Sequence, residues 1–511
     1  MNAPGTDTLA AALALVGLVV VVAALLSGLI ERSRLPQVAV FLALGAALGP
    51  AGLGVLHLTL ESPALRLVAT LSLALVLFTD ALTVDPAEVR QYKGLALLVL
   101  GPGTLATAAL LALAGWGLLG LAPAAAALLG AALASTDPIL MRGLLQAHTG
   151  PPLPSAARHA LRLESGLNDV VLLPIVLVAM AFLREGQPAD AETTLARLGI
   201  DLLLLGPGLG IAVGLLAVAA LDLVRRRIGV RRDYESLYSL GVAFTAYAAA
   251  EAVHGSGFLA AFAAGITITV LDVELCECFV EYGQTTAEMA LLFAFVLFGA
   301  GPIWSGLAVV DGRTLLFAAI ALLARTAVLW PALAWSGLDL RSRLLVAGYG
   351  PRGLSALLLV LLPVFAGLPG SAQLFALCSL VVLLSVVLHG GLPLLLEQGP
   401  KALLQGSPGA QPVNGLPPTA VTAGPVAGPA PPDIAAGDQA GSDPLRLELA
   451  ALRELQAAGA PVVLLDVRTE RTYAHSPLQA QGALRLPPDH VAERAAALGL
   501  PRQAWLVAYC A

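Results

Sequence analysis

Apolar residues form long runs, separated by short polar stretches, along the first 396 positions of the chain. A transmembrane helix needs about 20 mostly apolar residues. Four runs of this length carry no charged side chain: 8–30, 36–55, 202–221 and 289–310. The uncharged stretches 94–136 and 353–396 are each too long for one span, and Pro123 and Pro369 divide them. The pattern is therefore typical of a chain that crosses a membrane many times.

The pattern of apolar runs predicts an all-α polytopic membrane protein with about 13 transmembrane helices. The spans are expected near 8–30, 36–56, 64–84, 94–120, 122–145, 157–183, 198–223, 235–253, 256–271, 287–304, 313–336, 344–366 and 372–396. No basic segment precedes the first run and no small-residue cleavage motif follows it. We therefore expect the first run to be a retained span rather than a cleaved leader.

Basic residues between the predicted spans give the orientation, because Lys and Arg favour the cytoplasmic side. With the N-terminus outside, the cytoplasmic loops carry Arg32, Arg34, Arg90, Lys93, Arg142, Arg158, Arg225, Arg226, Arg227, Arg231, Arg232, Arg341 and Arg343. The outer loops then carry only Arg66, Arg184, Arg197 and Arg313. The contrast predicts a plasma (inner) membrane protein whose C-terminus is cytoplasmic.

Composition excludes several other classes of protein. The chain has 28 Lys and Arg against 34 Asp and Glu, a net charge of −6. Its 12% charged residues compare with about 25% in an ordinary soluble domain. The hydrophobic share is 58% and the mean hydropathy is +0.85. These values exclude a soluble cytosolic enzyme, a disordered chain and a nucleic-acid binder.

The composition changes after the last predicted span. Residues 397–443 are rich in Pro, Gly and Ala and predict a flexible cytoplasmic linker. Residues 444–511 resemble a small α/β fragment, with an amphipathic helix at 445–458 and buried strands at 461–466 and 505–509. The domains are therefore predicted as 1–396, 397–443 and 444–511.

Two carboxylates, an amide and a hydroxyl lie close together within one predicted span. Ser165, Asn168 and Asp169 are spaced i, i+3 and i+4, so they share one helix face, and Glu164 lies one turn before Asn168. Oxygen donors in an apolar setting suit a small hard cation. The alternative is a set of interhelical hydrogen bonds.

A second polar cluster, Ser135-Thr136-Asp137-Pro138, interrupts another span. Pro138 lacks a backbone donor and disfavours helix at the residue before it. A helix broken here would present backbone carbonyls beside Asp137, as in the ion sites of many secondary transporters. The alternative is a kink in which Asp137 caps the following helix.

Arg325 and Arg352 are the positive charges within predicted spans. A buried arginine needs a carboxylate partner, and Glu164 is the natural candidate for Arg325. That pairing would leave Asp169 free to exchange a proton for a cation.

Other ionisable residues lie near the ends of predicted spans. Asp80 is an accessory candidate for the ion site, with a polar residue reaching the membrane interface as the alternative. Glu251 and His254 are interpreted as interfacial, and His389 as structural.

The motifs Glu164–Asp169, Ser135–Pro138, Arg325 and Gly350–Gly353 together resemble those of the sodium/proton exchanger (monovalent cation:proton antiporter) family. The resemblance covers roughly residues 8–396. It implies a homodimer and the antiporter fold, with inverted repeats, a dimerisation bundle, a six-helix core and two unwound crossing helices.

The resemblance also implies a role for each motif residue. Asp169 would bind the cation and the proton in turn, and four neighbours would help to form the Na⁺ site: Asn168, Ser165, Asp137 and Thr136. Glu164 would pair with Arg325, and Arg352 would support the core. No cofactor is implied.

Asn168-Asp169 resembles the pair found in electroneutral members of the family and implies the exchange of one proton for one cation. Na⁺ is the first choice, and K⁺ or Li⁺ are alternatives that ligand type does not separate. Two other functions compete with this hypothesis: a cation channel, and a membrane-anchored sulfur-relay or redox-sensing protein.

The sulfur hypothesis comes from the C-terminal fragment, which resembles a rhodanese domain. The matching residues are Leu464–Arg468, Tyr473, Gly482, Ala483, Pro487 and Val507–Cys510. In that family the cysteine at the position of Cys510 carries the sulfur, and the loop after it cradles the sulfur. The sequence ends at Ala511, so we expect the fragment to be inactive as a sulfurtransferase.

Overall fold

The computed structural model describes most of the apolar part of the chain and pieces of the C-terminal part. Its residues are 17, 21, 37–84, 89–90, 92–137, 140, 155–185, 199–227, 232–271, 277–336, 338–398, 452–453, 455, 459–467, 479–480, 482–486 and 504–509. The predicted span 8–30 (apart from positions 17 and 21), nearly all of the linker, most of the helix 445–458 and Cys510 lie outside these residues. The chain forms two compact units, Met1–Ser407 and Pro408–Ala511.

All regular secondary structure in the described residues of the first unit is helical. Its helices are α1 (Gln37–Leu48), α2 (Pro63–Leu82), α3 (Lys93–Leu119), α4 (Pro123–Ala134), α5 (Ser155–Glu185), α6 (Gly206–Arg227), α7 (Arg232–Ala252), α8 (Gly257–Val270), α9 (Glu277–Gly299), α10 (Ser305–Ala308), α11 (Gly312–Ala332), α12 (Leu340–Gly348), α13 (Leu354–Phe365) and α14 (Ser371–Gln398). A π-helical turn, Val99–Gly103, lies within α3, and another, Ile200–Leu205, precedes α6.

The mostly helical fold predicted from the sequence is confirmed, but the count of about 13 spans is not. Within the described residues six helices are long and apolar enough to cross a membrane, or seven if the pair Thr286–Gly299 and Pro302–Ala308, bent by 57°, is one span. Every predicted span from 36–56 onward nevertheless contains a helix. Four apolar helices are shorter than a span, namely α1, α4, α8 and α13.

Two of the short helices end or begin at an interruption inside a predicted span. Helix α4 stops at Ala134, and Ser135 adopts an extended conformation with ψ 140°. The predicted span 344–366 is split into α12 and α13 by the non-helical residues 349–353. Pro351 and the glycines beside it favour this break, because proline lacks the N–H that continues a helix. Each interruption leaves free helix ends within the helical unit.

The helices pack closely around a core of leucine, alanine and phenylalanine. Helix α8 packs against α2 and α6, while α4 packs against α3 and α5. Phe298 and Phe375 stack with ring centroids 6.0 Å apart in the buried core. Many large apolar side chains instead point outward, such as Leu216 at 70% and Val387 at 75% exposure. An apolar outer surface of this kind suits a lipid environment.

The second unit contains a small parallel sheet. Its strands are β1 (Val462–Asp466), β2 (Leu484–Arg485) and β3 (Trp505–Tyr509), in the order β2-β1-β3. Both neighbours pair with β1 in parallel. Strands β1 and β3 lie where the sequence predicts them, and a parallel sheet fits an α/β fragment. The resemblance to a rhodanese domain stays a prediction.

Candidate functional site

The two interrupted segments contact each other between α4, α5 and α13. The backbone N–H of Asp137, three residues beyond α4, donates to the carbonyl oxygen of Pro351 at 3.0 Å. Pro351 belongs to the segment 349–353, which we call the crossover segment. This contact brings the C-terminal end of α4 close to the N-terminal end of α13.

Asp137 caps the beginning of α13. Its Oδ2 accepts the N–H of Leu354 at 2.6 Å, and its Oδ1 accepts the N–H of Leu140 at 3.2 Å. A carboxylate at a helix N-terminus is favourable, because the first N–H groups lack partners and carry partial positive charge. A Cβ atom added at Gly353 would overlap this carboxylate, so the close approach requires glycine.

Arg352 interacts with the C-terminal end of a helix, whereas Asp137 caps an N-terminal end. Its side chain is completely buried, and Nη1 donates to the carbonyl oxygens of Ala134 at 2.7 Å and Ser135 at 3.0 Å. These carbonyls lie at the C-terminal end of α4, where the helix dipole is negative. The backbone N–H of Arg352 donates to Oγ of Ser385 on α14 at 2.7 Å.

Asp169 lies on α5 beside the interruption after α4. It is 1% exposed, and the hydroxyl of Ser135 donates to its Oδ1. Its other oxygen, Oδ2, is buried with no hydrogen-bond partner among the described residues. The hydroxyl of Ser355, in the first turn of α13, lies close to the same carboxylate. Asp169 therefore has no cationic partner in the described structure.

Asn168 extends this polar patch. Its Nδ2 donates to Oγ1 of Thr136 at 2.7 Å, while its Oδ1 is buried and makes no hydrogen bond within the described part of the chain. Asn168 and Thr136 are both fully buried. The site therefore offers two unused oxygens, one from Asn168 and one from Asp169, next to a threonine hydroxyl.

Glu164 and Arg325 form a bidentate ion pair between α5 and α11. Nε of Arg325 donates to Oε1 of Glu164 at 2.8 Å, and Nη2 donates to Oε2. Nη1 of Arg325 also donates to the carbonyl of Ala347 at 3.1 Å. Both side chains are buried. This pair is internally neutral and leaves Asp169, five residues after Glu164, without an arginine.

The remaining predicted residues lie at the edge of this arrangement. Ser165 is buried, but its hydroxyl donates to the carbonyl of Arg162 in its own helix at 3.2 Å. Asp80 on α2 is partly buried and lines a narrow cleft with Arg162 and Gly166 of α5. The structure thus brings Thr136, Asp137, Asn168 and Asp169 together, with Ser165 and Asp80 beside them.

Sequence reasoning did not single out two serines beside the site, and it interpreted His389 only as structural. Ser355, in the first turn of α13, approaches Asp169. Ser385 on α14 accepts the backbone N–H of Arg352, and His389, one turn further along α14, contacts Ser385. A single serine in an apolar helix gives no signal, but the i, i+4 spacing of Ser385 and His389 marks one polar face on an apolar helix.

Comparisons with known proteins agree with this architecture. A sequence model of the family described as "Sodium/hydrogen exchanger, transmembrane" matches residues 18–396. The chain is 24% identical over 380 residues to the K(+)/H(+) antiporter NhaP of Alkalimonas amylolytica, covering 73% of this chain and 63% of that protein. It is 28% identical over 393 residues to the K(+)/H(+) antiporter NhaP2 of Shewanella sp. strain ANA-3, covering 73% and 64%. The chain therefore spans less than two thirds of the length of these relatives.

A solved structure shares the fold. The sodium proton antiporter MjNhaP1 from Methanocaldococcus jannaschii aligns with a TM-score of 0.60 at 21% identity, covering 75% of this chain and 99% of that chain. A second structure of the same antiporter gives a TM-score of 0.57 at 20% identity, covering 78% and 99%. The likeness concerns the overall fold.

Proposed function

Because the chain belongs to the sodium/hydrogen exchanger family, we propose that it is a secondary transporter that exchanges a monovalent cation for a proton across the membrane. The observation that carries the proposal is Asp169, a fully buried carboxylate with one oxygen unpartnered among the described residues. A carboxylate held in this way binds either a proton or a cation, and the two compete for the same oxygen.

The neighbouring side chains support a cation at Asp169. The Oδ1 of Asn168 and the hydroxyl of Thr136 add oxygens beside the carboxylate, and hard monovalent cations prefer oxygen ligands. We propose that Ser165 and Asp137 complete the site, as the family resemblance implies. The oxygen of Ser165 keeps lone pairs for a cation while its hydroxyl donates to the carbonyl of Arg162, and Asp137 would contribute while it caps α13.

The charges around Asp169 favour an exchange ratio of one to one. Glu164 is neutralised by Arg325, Asp137 lies on the positive end of α13, and Arg352 lies on the negative end of α4. One carboxylate charge then remains to be matched by either H⁺ or a cation. The site has the same net charge in both half-cycles, so exchange is electroneutral.

We further propose that the protein works as a homodimer in the plasma (inner) membrane, with the N-terminus outside and the C-terminus in the cytoplasm. Loop charge supports this orientation, and the family resemblance supports the dimer. Alternating access would move one bundle of helices against the other around the site.

Two cations are candidates for the transported ion. We propose Na⁺ as the first choice, on the family resemblance. K⁺ is the second candidate, because the two relatives described above are named K⁺/H⁺ antiporters. Both ions bind oxygen ligands, so the size of the cavity must determine which ion is transported.

Reconstituted transport tests the proposal. The protein is placed in proteoliposomes with an internal pH dye, and Na⁺, K⁺ and Li⁺ are added in turn with the membrane voltage clamped. We expect one or more of these cations to change the internal pH at a rate that does not depend on voltage. Asp169→Asn should abolish the signal, because an amide cannot release a proton.

Asp222→Asn is the matched control. Asp222 also lies in a membrane-spanning helix, α6, but its side chain is exposed. This variant should transport like the unaltered protein. A cation current without coupled proton movement would instead indicate a channel. No pH change with any of the three cations in folded protein would overturn the proposal.

A further inference from the structure

Two residues of α14 hold the crossover segment from outside the proposed ion site. Ser385 and His389 are buried, at 0% and 4% exposure, and lie one helical turn apart. Neither belongs to the motifs that point to ion exchange. Their contacts reach both ends of the crossover segment.

Ser385 satisfies a backbone group that the broken helix leaves free. The N–H of Arg352 lies in non-helical chain and donates to Oγ of Ser385 at 2.7 Å. Backbone polar groups inside a bilayer must find a partner within the protein, because no water is present to replace it. The hydroxyl of Ser385 is therefore the anchor of the backbone at Arg352.

His389 contacts the other end of the segment. Its Nδ1 lies 3.1 Å from Oγ of Ser385, and its ring packs edge-on against Tyr349 with centroids 5.5 Å apart. The hydroxyl of Tyr349 in turn donates to the carbonyl of Leu140, beyond the first interruption. The pair Ser385 and His389 thus connects α14 to both interrupted helices.

We infer that Ser385 is a positioning residue for the exchange proposed above, and that His389 orients its hydroxyl. Ser385 fixes the backbone of Arg352, and this fixes the guanidinium on the carbonyl end of α4. The same carbonyl end includes Ser135, whose hydroxyl donates to Asp169. Loss of the Ser385 hydroxyl would therefore disturb the carboxylate that binds the ion, although Ser385 touches neither the ion nor Asp169.

The inference rests on the proposed function, and Ser385→Ala tests it. We expect the cation concentration for half-maximal exchange, the KM, to rise roughly tenfold, because a buried N–H loses its partner and the site shifts. Loss of folded protein would lower only the maximal rate and leave the KM unchanged. The KM therefore separates positioning from simple destabilisation.

Ser379→Ala is the matched control. Ser379 lies on the same helix and is also completely buried, but its hydroxyl has no hydrogen-bond partner among the described residues. Its KM should equal that of the unaltered protein. His389→Asn, which keeps a polar group near the position of Nδ1, should remain closer to the unaltered KM than His389→Ala.

A second measurement does not depend on transport. Hydrogen–deuterium exchange of the peptide that contains residues 349–354 should accelerate in Ser385→Ala and not in Ser379→Ala. If the unaltered protein moves no protons, the proposed function fails, and this measurement alone decides whether Ser385 anchors the segment. The inference is overturned if Ser385→Ala matches Ser379→Ala in hydrogen exchange, or if transport is measurable and the KM is unchanged.

Discussion

Each buried charge at the site has a different kind of partner. Glu164 has a guanidinium, Asp137 has the N–H groups at the start of α13, and Arg352 has the carbonyls at the end of α4. Asp169 has the hydroxyl groups of Ser135 and Ser355 near it and, among the described residues, no cationic partner. This difference decides which carboxylate is available for exchange, because a carboxylate held by an arginine is already neutralised.

Arg325→Ala should destabilise the protein strongly. It leaves Glu164 as an unpaired buried charge, and breaking a buried ion pair costs about 3–5 kcal/mol. We expect a marked loss of folded protein, measured by size-exclusion chromatography after heating in detergent. Arg313→Ala, at the exposed beginning of the same helix, is the control.

The double variant Glu164→Gln with Arg325→Gln should be more stable than Arg325→Ala, because no buried charge is then left alone. If the double variant is no more stable than Arg325→Ala, the unpaired charge of Glu164 does not explain the loss of folded protein.

Gly353→Ala should disrupt the crossing of the two segments. The new Cβ would overlap the Asp137 carboxylate and push it from the first turn of α13. We expect the exchange rate in proteoliposomes to fall at least tenfold. Gly348→Ala, at the last position of α12, is the control, because a Cβ there meets no atom within 4 Å. Equal activity of the two variants would contradict the need for close approach.

The charged residues of the site and the pairing of Glu164 with Arg325 could be predicted from the sequence, but the backbone and hydroxyl partners of the other charges could not. Charges within apolar runs are costly, so Glu164, Asp169, Arg325 and Arg352 stand out in the sequence. A serine such as Ser385 costs little in an apolar helix and gives no comparable signal. Its role depends on the backbone N–H of Arg352, 33 residues earlier, which has no helical partner because the helix is interrupted there.

Among the elements, the two interrupted helices form the site. Helix α4 presents its negative end to Arg352, and α13 presents its positive end to Asp137. The partial charge at a helix end is about half a unit, so each end offsets part of one full charge. The interruptions therefore stabilise one buried negative and one buried positive charge through helix ends.

Hydropathy could not predict this division of the helices. The window 344–366 is apolar enough to be interpreted as one span, although Gly350-Pro351-Arg352-Gly353 separates α12 from α13. The break after Ala134 was signalled by Pro138, because proline restricts the residue before it. The mean hydropathy of such a window does not reveal an interruption of four residues. The interruption is possible because tertiary contacts satisfy backbone groups of these residues.

Asp137→Ala should weaken α13 more than Asp137→Asn does. Alanine removes the cap on Leu354, a loss of about 1 kcal/mol, while asparagine keeps an oxygen acceptor but loses the charge. We expect exchange to be lost in the alanine variant and reduced in the asparagine variant. Circular dichroism in detergent should show both proteins folded. Activity equal to that of the unaltered protein in both variants would show that the cap and its charge do not matter.

At the scale of the whole molecule, the site lies entirely within the helical unit. The residues that surround Asp169 come from α4, α5, α11, α13 and α14, all within Met1–Ser407. The parallel sheet β1–β3 belongs to the second unit, Pro408–Ala511. Ion exchange and the C-terminal fragment are therefore predicted to be separable.

A chain that ends after Ser407 should keep cation-driven proton movement with an unchanged KM. Each helix around Asp169 is retained, because all of the site's residues lie within Met1–Ser407. The measurement is the same proteoliposome assay, with Asp169→Asn in the shortened chain as the negative control. A shortened protein that folds but no longer exchanges ions would contradict separability and give the C-terminal fragment a part in transport. A changed pH dependence with a normal maximal rate would instead make that fragment a regulator, because the site would be intact and only its control altered.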